Sequence, residues 1–149
     1  KKKGVERLGA IRDEVMLVCR EHRPDVVLIE GYSFASRASQ AHSIGELGGV
    51  IRLALYEDNY TFVEIPPSCR AKFATGRGNA SKAEVISAIS ARTGLVWEGK
   101  GADDMCDAWI LEQMGRTHFG FSDQEWPKKN LEALESIDWS HVVRKHNEL

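Results

Sequence analysis

This sequence has no cysteine pair, no long apolar run and no excess of positive charge, and each absence excludes something. The three cysteines, Cys19, Cys69 and Cys106, are odd in number, widely spaced and form no C-x-x-C pair. Neither a disulfide framework nor a zinc ribbon is therefore indicated. Cys19 and Cys106 fall within apolar patterns and read as buried thiols. The five histidines show no paired ligand spacing. No stretch of about 18 apolar residues and no signal peptide occurs. The expectation is a cytoplasmic, reducing setting with no membrane partner. The formal net charge is −2, so the chain is no polycation and any contact with nucleic acid must use local patches.

At 149 residues, 42% of them apolar and 28% charged, the chain has the material for one domain with a real core. Val5, Leu8, Ile11, Val15 and Val18 recur at helical spacing and predict a helix to about His22, stopped by Pro24. Asp25 to Glu30 reads as a strand. Its apolar run Val26-Val27-Leu28-Ile29 leaves no polar face, the pattern of a parallel strand buried on both sides. A long helix is predicted from Ser36 to Glu57. Gly45, Gly48 and Gly49 weaken it, which makes sense if another backbone approaches closely there. Thr61 to Ile65 reads as a second strand, ended by Pro66-Pro67, with a short helix from about Ser68 to Ala74. Gly76-Arg77-Gly78-Asn79 is a turn. Ser81, with Glu84 three residues on, predicts a capped helix to about Thr93. The last strong helix is expected from Asp103 to Arg116. Beyond it, residues 122–149 are polar, with Trp126, Leu131, Leu134, Ile137 and Trp139 as docking points. A strand-helix-strand unit implies parallel pairing with a right-handed crossover.

Two acidic positions carry the chemistry. Glu30 ends the first apolar strand, where a carboxylate is poorly placed for packing and well placed for a site. Asp104 and Asp107 share one side of the last strong helix. If the fold brings strand tip and helix together, three carboxylates converge. Oxygen ligands of this kind suit a hard divalent cation, magnesium or manganese, and phosphodiester hydrolysis. Arg70, Lys72, Arg77 and Lys82 lie in a stretch without an acid, the candidate for phosphate contact. Tyr32 and Phe34, just beyond Glu30, are candidates for stacking on an unpaired base. The plainer readings are that Asp103 and Asp104 merely favour the helix start, and that Lys82 is a surface lysine.

The motifs together resemble the RuvC family of Holliday-junction resolvases, in the RNase H-like superfamily. The resemblance rests on Val26 to Glu30, on the small-residue helix after it, on Ile65-Pro66-Pro67, on Ala74 to Lys82, and on Asp104-Met105-Cys106-Asp107-Ala108 as D-x-x-D-A. The tail around Asn130 to Trp139 is similar to phage-associated members. The resemblance implies an α/β fold of the RNase H type, helices around a small, mostly parallel sheet. It also implies that the first three strands, and a fourth metal-binding acid on one of them, precede Lys1. A nuclease domain over residues 1–121 with a docking tail over 122–149 is expected.

By the same resemblance, Glu30, Asp104 and Asp107 are metal-binding acids and Lys82 a catalytic, DNA-contacting lysine. Where members often have lysine, this chain has Ala71, flanked by Arg70 and Lys72. The implied activity is structure-selective, magnesium-dependent cleavage of four-way DNA junctions by a homodimer meeting near Gly45 to Gly49. Two other readings stand beside it: a junction-binding module without catalysis, and an RNase H-like nuclease with a different nucleic-acid substrate.

Overall fold

The structure, a computed structural model, describes residues 1–32 and 38–142, with side chains for all of these but 38–40. Phe34 lies outside the described residues. The chain divides into two units. Unit one comprises Lys1–Val27, Tyr32–Val63 and Trp139–Leu149; unit two comprises Leu28–Gly31 and Glu64–Asp138. The two strands, β1 (Val27–Glu30) and β2 (Phe62–Ile65), each begin in the first unit and end in the second. The amide of Val27 donates to the carbonyl of Thr61 and that of Gly31 to the carbonyl of Ile65, both at 2.9 Å. The constant offset makes the pair parallel. β1 is half-buried along its length rather than buried on both faces, which corrects the reading of its apolar run. β2 is its one strand neighbour among the described residues.

In unit one, helix α1 (Gly4–His22) packs on helix α2 (Ala38–Glu57). α1 ends as Pro24 requires: Arg23 turns left-handed at φ 47° and its amide closes on the Cys19 carbonyl at 2.7 Å. Met16, Cys19, Ile51, Leu55 and Val63 are buried, while Leu17, Val18, Ile44, Leu53 and Tyr56 are exposed. At Gly48 the close approach comes from side chains rather than backbone. A Cβ there would lie 2.7 Å from the Tyr32 hydroxyl and 2.6 Å from an Arg52 nitrogen, whereas Gly45 and Gly49 face open space.

Unit two holds the larger core. Helix α3 (Pro67–Thr75) starts at the two prolines and ends at Gly76, left-handed at φ 85°. Helix α4 (Lys82–Thr93) carries the capping box foreseen from sequence, with Ser81 and Glu84 exchanging hydrogen bonds. Helix α5 (Ala102–His118) follows, then α6 (Lys128–Leu131) and a 3-10 turn over Glu132–Ser136. Ile65, Phe73, Ile89, Ile110, Met114 and Cys106 are fully buried. Trp126 packs on Phe73 with ring centroids 4.3 Å apart. Asn130 donates to the Phe73 carbonyl at 2.8 Å, so the tail up to Asp138 clusters with α3 rather than standing apart. No helix among the described residues is long and apolar enough to cross a membrane.

Candidate metal centre

One close contact in unit two aligns the candidate acids. Gly115 on α5 lies against Leu28 of β1, and a Cβ at that glycine would sit 3.1 Å from a Leu28 methyl. Leu28 and Glu30 point to the same side of β1 because strand side chains alternate. Asp107, Leu111 and Gly115 lie four residues apart and share one stripe of α5. The helix that meets the strand through Gly115 therefore brings Asp107 to the side of the strand that bears Glu30.

The two acids converge, and the group between them is Arg70 of α3. Its Nε donates to Glu30 Oε2 at 3.0 Å and its Nη2 to Oε1 at 3.3 Å. Its Nη1 donates to Asp107 Oδ1 at 2.6 Å. Arg70 is 12% exposed, Asp107 22% and Glu30 34%. Sequence reading assigned Arg70 to phosphate contact; the structure turns it inward onto the carboxylates. Burial holds the Asp107 carboxyl above the usual aspartate range, and Glu30 and Asp104 push it further the same way. Arg70 and Lys82 pull it back without prevailing.

Asp104 sits in the exposed first turn of α5, close enough for its charge to act on Asp107. Asp103 beside it is 3.8 Å from Lys82, an exposed pair at the first residue of α4. Among the described residues, no group of three or more His, Cys, Asp or Glu is arranged to hold a metal ion. Glu30 and Asp107 nonetheless fit such an ion in donor type and charge. Magnesium is commonly held by one or two carboxylates, with substrate phosphate and water completing its shell. The bound guanidinium shows that this pair gathers around positive charge. Neighbouring Cys106 is no ligand: it is fully buried, and desolvation, then the Asp107 charge, push its thiol up to about 11.

The remaining basic residues of the segment all have acidic partners. Lys72 lies 3.6 Å from Glu132, and Arg77 lies 3.1 Å from Glu84. A stretch without acids in sequence is thus a set of ion pairs in space. Tyr32, in unit one, packs on α2: Arg52 donates to its hydroxyl at 3.1 Å and lies 4.5 Å from its ring centre. Arg52, Gly115, Glu84 and Asp103 were the residues that sequence reasoning left without a part in these contacts. A glycine on the interior stripe of α5 and an acid seven residues after Arg77 were the available signals.

Comparison with known proteins bears on this arrangement. A solved structure of Thermus thermophilus RuvC overlays with a TM-score of 0.63 at 22% identity, covering 83% of this chain and 75% of that one. A solved structure of T. thermophilus RuvC in complex with a Holliday junction substrate gives the same score. The fold is therefore of the RuvC, RNase H-like type expected from the sequence. A crossover junction endodeoxyribonuclease RuvC of Sorangium cellulosum is 35% identical over 85 residues, which is 57% of this chain and 48% of that protein. The Carboxydothermus hydrogenoformans RuvC is 29% identical over 115 residues, covering 77% of this chain and 72% of its own length. The chain thus spans about half the length of the first of these relatives. The model of the family described as crossover junction endodeoxyribonuclease RuvC matches residues 1–111, a span that includes β1, α3 and the acidic start of α5, and the chain belongs to that family.

Proposed function

We propose that this chain is part of a metal-dependent endodeoxyribonuclease that resolves four-way DNA junctions by phosphodiester hydrolysis in the cytoplasm. The observation that carries the reading is the meeting of Glu30 and Asp107 around one positive charge, in a chain of the RuvC family. These two carboxylates would hold a magnesium ion, with manganese as a substitute. Asp104, one turn earlier on α5, adds negative charge toward the same point. A bound divalent ion would activate the attacking water and stabilise the leaving oxygen.

The chain's own residues supply orientation and charge. Lys82, exposed at the start of α4 and within electrostatic reach of Asp107, would neutralise a phosphate oxygen near the acids. Arg77 and Lys72 are exposed or half-exposed and can exchange their acidic partners for DNA phosphates. Tyr32 is half-exposed, with Arg52 against its ring, and stays a candidate for stacking at the crossover. Phe34 keeps the same part by its place in the sequence. Leu17, Val18, Ile44, Leu53 and Tyr56 on α1 and α2 are exposed apolar side chains, which supports a homodimer, since exposed apolar surface favours a second copy. Residues 1–121 are read as nuclease domain and 122–149 as its docked tail, in line with Trp126 and Asn130 on Phe73.

The test is cleavage of a synthetic four-way junction by the full natural protein with magnesium. Glu30→Gln should lower cutting on the order of a thousandfold while junction binding persists. Cutting at the parental rate by that variant would refute the assignment. A second reading, junction binding without catalysis, is favoured by Arg70, which occupies the two acids a metal would need. Retardation of the junction in a gel, with no cutting under magnesium or manganese, would select it.

A further inference from the structure

Arg70 is the least exposed of the four basic side chains in its segment, at 12% against 36% for Lys72, 56% for Arg77 and 75% for Lys82. A phosphate ligand needs to face solvent; this guanidinium faces two acids. Its charge is permanent, because arginine does not lose its proton in proteins. Its place is fixed from below. Ala71, Phe73 and Ala74 beside it on α3 are buried, so the helix cannot roll to carry Arg70 outward. Nε and Nη2 take Glu30 side-on, and Nη1 takes Asp107, so three donors of one planar group span both carboxylates.

We infer that Arg70 is a built-in counter-cation: it holds Glu30 and Asp107 together while no divalent ion is bound, and a divalent ion must displace it to gain both carboxylates. The inference rests on the metal-centre reading above. One positive charge against two negative ones leaves the pair short of neutrality, which a divalent ion would supply. Arg70 and the ion compete for the same oxygens and repel each other, so each weakens the other's hold. The arrangement has two consequences. Without metal, the acids stay gathered instead of being driven apart by their own repulsion. With metal, part of the ion's affinity is spent on releasing the guanidinium.

The test is manganese binding, read by electron paramagnetic resonance, on the parent chain, Arg70→Gln and Arg70→Lys. Arg70→Gln should bind roughly tenfold more tightly than the parent, a modest value for linked ligands. Arg70→Lys, which keeps the charge but not the fork, should fall between them. In the parent, the Arg70 Nε–H resonance should shift as magnesium is titrated to saturation. That measurement needs no variant and stands even if one fails to fold. Equal or weaker binding by Arg70→Gln, or an Arg70 resonance unmoved at saturating magnesium, overturns the inference while leaving the metal centre standing. Absence of manganese binding in parent and variants alike overturns the metal centre and the inference together.

Discussion

Arg70 and Lys82 belong to the same short basic stretch, yet the two ends of that stretch are different environments. Around Arg70, three charged groups are packed between β1, α3 and α5, with donors at 2.6 to 3.3 Å from their acceptors. Around Arg77 and Lys82, the partners Glu84 and Asp103 are about half-exposed, and Lys82 stands 3.8 Å from its acid. The first cluster is part of the structure and cannot change partners without cost. The second is a set of loose, solvent-screened surface pairs, which under the proposed function would be traded for DNA phosphates. Burial, not sequence neighbourhood, sorts four similar cations into a structural one and three available ones.

The largest expected effect breaks the buried cluster at its acids. Glu30→Gln and Asp107→Asn should each lower junction cleavage on the order of a thousandfold, since a lost metal ligand removes several kcal/mol of transition-state stabilisation. Single-turnover rates in magnesium would measure it. Next comes the cation. Arg70→Ala should destabilise the metal-free protein by about 2 kcal/mol in urea unfolding. That is below the usual cost of splitting a buried pair because both acids retain some exposure. Added magnesium should recover much of the loss in the variant and shift the parent less.

Gly115→Val tests what aligns the cluster. A side chain there must displace Leu28, whose methyl lies 3.1 Å from the position of even a Cβ. Overpacking of this kind should cost about 2 kcal/mol. It should also reduce cleavage more than stability alone accounts for, because Asp107 rides on the same stripe of α5. In the exposed cluster binding, not stability, carries the effect. Arg77→Ala and Lys82→Ala should leave stability within about 0.5 kcal/mol. Each should weaken junction binding and reduce its salt slope by about one.

The smallest effect is electrostatic and local. The Ser81 amide, and after it Arg77, hold the exposed Glu84 carboxyl below its ordinary value. A group whose folded value is depressed stabilises the fold above its unfolded value, and that stability is lost as pH falls through the folded one. Glu84→Gln should therefore melt lower than the parent at neutral pH. The difference should close as the pH drops below the usual glutamate range.

The same contrast explains how much was legible in the sequence. The Ser81–Glu84 box, the prolines opening α3 and the left-handed Gly76 are local signals, and each is where the residues alone put it. Glu30 and Asp107 were legible as a pair because a strand tip and a helix start suit a metal centre. Their common partner was not. Arg70 is separated from Glu30 by 40 positions and from Asp107 by 37, and nothing in its own neighbourhood announces an acid. The half-burial of β1 escaped for a related reason: an apolar run records what a strand tolerates, not how many neighbours cover it. Gly48 was read rightly as a close approach and wrongly as one made by backbone, since a tyrosine ring fills the space.

Anomalous diffraction from a manganese-soaked crystal tests the convergence of the two acids most directly. The account predicts a manganese peak held by Glu30 and Asp107 with the Arg70 guanidinium withdrawn from both. A peak elsewhere, or an unmoved Arg70 still bridging the two carboxylates at saturating manganese, would contradict it.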